Sequence, residues 1–249
     1  MNQVRNWVRI ALLDLRGDLK HFGVLLACLA LGTMTIAAVG SVGAALQDAI
    51  VRDATKLMGG DLEVTRSDRR ATPEERAFFE TLGPTAEEDD SNGRATAGDN
   101  SAFLDIVGVD GDYPLVGNVA SPQLKDGEKP AALLANKDGA WGAIVNPIIL
   151  DRLGIKLGGM FTIGDTQYQA RGVLVSLPDG AARGFHLGLT TLISVEALAA
   201  TPDARPPLPG MLTAYRYKIV LPDAKGEGAL AAYAAGAKAV DDKFHDDQW

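Results

Sequence analysis

Cysteine is almost missing from this chain: Cys28 is the single one in 249 residues. No internal disulfide can form, and with only His21, His186 and His245 beside it, a Cys/His structural zinc site is nearly excluded. An excess of base is missing too. Lys and Arg total 24 against 32 Asp and Glu, a net charge of −8. Such a balance provides no basic face for phosphates, so a general nucleic-acid binder is excluded. No G-x-S-x-G elbow, H-E-x-x-H or P-loop occurs, so the chain has no standard machinery for hydrolysing ATP. The near miss Gly40-Ser41-Val42-Gly43 lies inside an apolar run. What is present argues against global disorder: 47% hydrophobic and 22% charged residues.

Charge divides the chain into three regions. Residues 1–21 carry Arg5, Arg9, Arg16 and Lys20 against Asp14 and Asp18, net +2. Residues 22–46, FGVLLACLALGTMTIAAVGSVGAAL, carry none. Residues 47–249 hold 20 bases and 30 acids, net −10. As a helix, the uncharged segment spans about 37 Å, enough to cross a hydrocarbon core of roughly 30 Å with some tilt. A soluble helix needs a polar face, and this one has none. The run also exceeds an ordinary signal-peptide core of about 7–15 residues. Leu25-Leu26-Ala27-Cys28 resembles a lipoprotein box. Lipidation there would leave a long apolar tail in water, so Cys28 reads as a small membrane-embedded hydrophobe.

The basic leader before the segment predicts a cytoplasmic N-terminus in an inner, or plasma, membrane, with residues 47–249 outside in the periplasm. In the leader, the four bases share a narrow helical stripe beside Val4, Trp7, Val8, Ala11, Leu12, Leu15 and Leu19. This pattern predicts a helix lying on the inner leaflet of the bilayer. Within the membrane segment Thr33, Ala37, Ser41 and Ala45 recur every fourth residue, with Gly40 and Ala44 as a second pair. Such spacing lets helix backbones approach closely.

The exported part reads as α+β. Ala49–Met58 continues as helix up to Gly59-Gly60, and a strand follows over Asp61–Thr65. Thr72-Pro73-Glu74-Glu75 is a capping box opening a helix to Leu82. Residues 85–100, TAEEDDSNGRATAGDN, are polar and turn-rich and read as a loop. Strands are expected at Phe103–Val109, Met160–Ile163, Tyr168–Ser176, Thr190–Ser194 and Tyr215–Leu221. Helices are expected after Asn146-Pro147, at Val195–Ala200 and at Gly228–Lys243. No regular βαβ rhythm is present.

Two weak chemical motifs remain. Gly226-Glu227-Gly228-Ala229-Leu230-Ala231 matches a relaxed dinucleotide fingerprint, but an ordinary loop-to-helix junction suffices. Glu88 through Gly93, with Asp99, approximates a calcium loop. Position 1 is Glu, position 12 is Asp and no helices flank it, so it reads as a solvated acidic loop. No catalytic, cofactor-binding or metal-binding residue is assigned.

The stretch RIALLDLRGDLKHFGVLLACLALGTMTIAAVGSVGAALQDAIVRDATKLMGGDLEV (9–64) resembles the N-terminus of FtsX-like permeases of ABC transporters. The nearest branch is the YbbP-like proteins, relatives of the MacB and LolC/LolE permeases. Further likeness lies in ATPEERAFFETLG (71–83), VGVDGDYPLVGNV (107–119), NPIILDRLGIKLGGMFTIGDTQYQARGVL (146–174) and LISVEALAAT (192–201). The resemblance implies a transmembrane helix feeding a MacB-type mixed α/β extracytoplasmic domain, without catalytic residues or cofactor. It also implies a cytoplasmic ABC ATPase subunit and further permease helices as partners within the lipid bilayer, and a role in export or mechanotransmission. The family continues to a second membrane helix where this sequence stops, at Asp246-Asp247-Gln248-Trp249. A fragment, a truncated product or half of a split permease is therefore expected, unable to transport alone. A single-pass anchored interaction module is the other reading.

Overall fold

In the computed structural model the described residues are 22–46, 55–56, 58–180, 183, 188–201, 214–224 and 228–244. The leader, the three histidines, residues 226–227 and the terminal 246–249 lie outside them. The chain forms two compact units, Met1–Ile50 and Val51–Trp249.

In the first unit, α1 (Phe22–Leu46) is one unbroken helix of 25 residues. Its large apolar side chains are exposed all round, from 54% for Leu26 to 76% for Ile36. Its hydroxyls are turned back onto its own carbonyls. Thr33 donates to Leu29 O at 3.0 Å, Thr35 to Leu31 O at 2.7 Å and Ser41 to Ala38 O at 3.0 Å. A hydroxyl satisfied within the helix can face lipid without an orphaned donor.

The second unit contains eight strands and five helices among the described residues. The strands are β1 (Leu62–Arg66), β2 (Thr85–Ala97), β3 (Asn100–Val109), β4 (Trp141–Val145), β5 (Met160–Ile163), β6 (Thr166–Val173), β7 (Leu189–Ser194) and β8 (Ala214–Ile219). The helices are α2 (Pro73–Leu82), α3 (Ala131–Leu134), α4 (Pro147–Leu153), α5 (Val195–Ala199) and α6 (Ala229–Lys243). The expected α+β class holds.

Strand order is β1-β8-β2-β3-β7-β4-β6-β5, and β2 also pairs with β5 through Ala95–Ile163 and Thr96–Thr162. Six strands therefore close on themselves. Each sends apolar side chains into one cluster, among them Ala95, Leu104, Ile193, Val145, Tyr168 and Phe161. The helices α4 and α5 add Ile149, Leu153, Ala197 and Leu198. The outer face of the sheet carries Val107, Val109, Ile144 and Leu192, covered by Leu134 of α3 and by Tyr113. A third cluster packs α2 and α6 on β1 and β8 through Phe79, Tyr217, Ile219 and Val240.

The helices start where their capping residues place them. Thr72 Oγ1 accepts from Glu75 N at 3.3 Å, and Glu75 Oε2 accepts from Thr72 N at 2.6 Å, completing the capping box. Asn146 caps α4 by accepting from Ile148 N at 3.0 Å, and Gly154 ends it at φ 66°.

The loop expected at 85–100 is instead β2 and the start of β3. Thirteen residues of β2 run through the middle of the sheet, and Glu87, Glu88 and Asp89 on it are buried. Strand length and acidity coexist because every buried acid meets a base from another element, as described below.

Candidate functional site

Strand pleating sends the four consecutive acids of β2 to opposite faces. Glu87 and Asp89 point one way; Glu88 and Asp90 point the other. On the first face, Arg76 of α2 reaches Glu87 Oε2 at 3.0 Å and Asp110 Oδ2 at 2.7 Å. Arg70 donates from Nε to Asp89 Oδ2 at 2.8 Å and lies 3.3 Å from Glu87 Oε1. Tyr217 donates to Glu87 Oε1 at 3.2 Å and accepts from Ala71 N at 2.9 Å. Burial pushes the Asp89 carboxyl up to about 7, against the opposing pull of Arg70.

On the second face, β8 supplies Arg216, directly opposite Glu88 in the antiparallel register, and Lys218, opposite Ala86. Lys218 Nζ lies 2.9 Å from Glu88 Oε2 and donates to Asp179 Oδ2. Asp179 Oδ1 accepts from the Tyr113 hydroxyl at 2.9 Å. Arg183 Nε lies 3.2 Å from Glu88 Oε1; the same guanidinium pairs with Asp90 and lies 3.7 Å from Asp105 Oδ1. Arg216 Nη2 reaches Asp90 Oδ2 at 2.7 Å. Glu88 and Asp179 are 0% exposed and Lys218 3%. Burial pushes Glu88 up to about 8, the nearby Asp179 adds to the rise, and Lys218 opposes it. Burial works against charge on Asp179 as well, yet the neighbouring Glu88 carboxyl and the Lys218 ammonium hold it below the usual range.

The segment that brings the chain into the domain lies against this second cluster. Gly59 adopts φ 73°, and a Cβ there would come within 3.3 Å of Asp179 Cβ and 3.4 Å of Lys218 Cδ. A Cβ on Gly60 would come within 3.2 Å of Ile219 O. Asp61 then clamps the segment to the end of β8. Its Oδ2 accepts from Leu221 N at 2.9 Å, its Oδ1 accepts from Thr55 Oγ1 at 2.9 Å, and its own N–H donates to Ile219 O at 2.9 Å. Thr55 Oγ1 is also 3.5 Å from the Tyr233 hydroxyl of α6.

The motifs singled out in the sequence fare differently. Glu88, Asp90 and Asn92, the first three acceptors of the calcium-like pattern, share one face of β2, but Lys218, Arg183 and Arg216 occupy it around Glu88 and Asp90. Asp99 sits at the β2–β3 turn. The solvated acidic loop expected there is thus corrected to a buried, base-paired strand. The dinucleotide-like Gly226-Glu227 falls outside the described residues. Among the described residues, no group of three His, Cys, Asp or Glu converges as a metal site would require. Neither Asp61 nor the Asp179–Lys218 contact was visible in sequence, since their partners lie 160 and 39 residues away.

A cavity of about 410 Å³ adjoins the cluster, lined by Asp105, Asn146, Ser176, Arg183, Gly188 and Thr190. Asp105 there accepts from Thr190 Oγ1 at 3.1 Å.

No protein-family model matches the chain, and no curated protein matches it. Among solved structures, the chain is similar to the extracellular domain of the noncanonic ABC-type transporter YknZ from Gram-positive bacteria. Identity is 12% and the TM-score 0.47, over 74% of this chain and 97% of that one. It is also similar to a domain of a putative permease protein from Porphyromonas gingivalis, at 11% identity and TM-score 0.43, over 75% and 81%.

Proposed function

We propose that this chain is the membrane-anchored part of an ABC transporter permease of the FtsX/MacB/YbbP type. Its N-terminus lies in the cytoplasm, α1 crosses the inner membrane and residues 47–249 stand outside. The observation that carries this reading is α1 itself: 25 residues without one charge and with every large side chain exposed, a surface only lipid or other membrane helices satisfy. The resemblance of segments 9–64 and 146–174 supports the permease assignment.

A cytoplasmic ATPase then supplies the energy, and further permease helices pack on the Thr33/Ala37/Ser41/Ala45 side of α1. Motion arriving along residues 55–61 passes to β8 through Asp61, whose carboxylate holds both Thr55 and Leu221. The domain acts on a substrate or partner outside the membrane. Purification of the tagged chain in mild detergent tests the assignment. Recovery of an ABC ATPase together with other permease helices is the expected result. Recovery of neither would leave a single-pass anchored interaction module and end the transporter reading.

A further inference from the structure

Three strand ends meet at one end of the sheet. β3 and β7 run parallel and finish level, with Val109 paired to Ser194. β4 runs antiparallel to β7, with Val145 opposite Thr191 and Ile144 opposite Leu192, so its first residue, Trp141, lies at that same end. The chain leaves the sheet there in two directions, from β3 into the stretch that begins Asp110-Gly111 and from β7 into α5. Strands that part in this way leave a crevice outside their carboxyl ends. α3 walls it, and a cavity of about 300 Å³ remains, lined by Val109, Leu134, Asn136, Trp141, Ser194 and Glu196 among others.

The cavity has an apolar floor and a polar rim. Val109 and Leu134 are buried, whereas Asn136 and Glu196 are exposed. Among the described residues, the Asn136 amide, the Glu196 carboxylate and the Trp141 indole N–H have no hydrogen-bond or ion-pair partner. No Lys or Arg lines the cavity. The bases around it have partners of their own: Arg76 meets Asp110, Arg70 meets Asp89 and Val195 O, and Lys129 meets Asp112. Arg171 donates to Ala135 O and Ala140 O, and Lys137 to Ala132 O. Glu196 is thus a carboxylate without a counter-charge, beside an aromatic ring and an apolar floor.

We propose that this cavity receives an arginine side chain from a partner protein. The stem of an arginine suits Val109 and Leu134. Its guanidinium can stack on the Trp141 indole while its planar fork of donors meets Glu196 and Asn136. A compact, strongly hydrated ammonium uses the ring and the two acceptors less well. The volume lies at the bottom of the range of about 300–1,000 Å³ for small-ligand sites. The rim is in water, so the far end of an occupant stays outside, as the backbone of a partner would. The net charge of −10 on residues 47–249 adds a general attraction for a basic partner. That this partner is extracytoplasmic rests on the orientation proposed above; the recognition chemistry does not.

The full chain in detergent micelles provides the test, carrying Trp7→Phe and Trp249→Phe so that Trp141 is the one remaining indole. The probe is the peptide acetyl-Gly-Arg-Gly-amide, and the readout is the ¹⁵N–¹H resonance of that indole. A saturable shift at millimolar peptide is expected. The citrulline peptide, alike in shape but uncharged, should bind about tenfold more weakly. Glu196→Gln, at an exposed position that folding does not depend on, should weaken the arginine peptide about fivefold. Absence of a saturable shift overturns the proposal, as does equal binding of the citrulline peptide or undiminished binding by Glu196→Gln. Agmatine binding more tightly than the peptide would make the occupant a small molecule and overturn the partner. No ATPase or further helix enters these measurements, so their failure is distinct from failure of the permease reading.

Discussion

At the scale of single residues, the domain is held by close approaches and by buried charges whose partners are remote in sequence. Gly142 shows the first. A Cβ there would sit 1.7 Å from Leu133 O and 2.8 Å from Leu133 C, so even alanine forces α3 off β4. Gly142→Ala is expected to cost about 1–3 kcal/mol, the usual range for overpacking, read as a lower urea midpoint. A midpoint within error of the native one would show that α3 is free to move. Asp61 shows the second. Asp61→Asn keeps the size but weakens acceptance from Leu221 and Thr55, and hydrogen bonds to a charged group contribute about 1.5–3 kcal/mol. Faster amide exchange at Leu221 is the expected outcome; unchanged exchange there would remove Asp61 as the clamp.

At the scale of elements, legibility followed the range of the interactions that form each one. The helices α2 and α4 were readable because their caps lie within three residues of the helix they start. Thr72→Ala should accordingly lower stability by about 1 kcal/mol, and Thr72→Ser should restore it. Equal urea midpoints for the two variants would argue against the box. The strand β2 was unreadable for the opposite reason. Its EEDD run suits a strand only because Arg70, Arg76, Arg183, Arg216 and Lys218 neutralise it, and the last of these lies 130 positions beyond Glu88. The short β4 escaped as well, since Gly142–Val145 is buried on both faces and shows no alternation. In α1 the pattern is local again, and the small-residue side belongs to this scale. Ala37→Ile and Ser41→Ile are expected to leave the chain in the membrane while weakening its co-purification with other permease helices. Undiminished recovery of those helices would take that side out of the account.

Over the whole molecule, carboxyls shifted in both directions set a window of stability. Glu75 is held at about 2, chiefly by its hydrogen bond with Arg69, and Asp179 is lowered too. Their contribution is present above the ordinary carboxylate values and is lost as pH falls toward 2. Glu88 and Asp89 are raised to about 8 and about 7, so theirs is present in acid and lost as pH rises through those values. Urea midpoints of the full chain should therefore peak between about pH 4.5 and 7 and fall on both sides. A midpoint still rising at pH 9 would contradict the buried charges on β2.

The central claim is that α1 spans the bilayer and holds the folded domain on the outer side. Cysteine scarcity makes this directly measurable, because Cys28 is the only thiol and the domain has none. In a Cys28→Ser background, Asp138→Cys places one thiol on an exposed turn of the domain. A membrane-impermeant maleimide applied to intact spheroplasts should label it fully, with no gain after permeabilisation. Labelling that appears only once the membrane is opened would place the domain inside the cell and contradict the account.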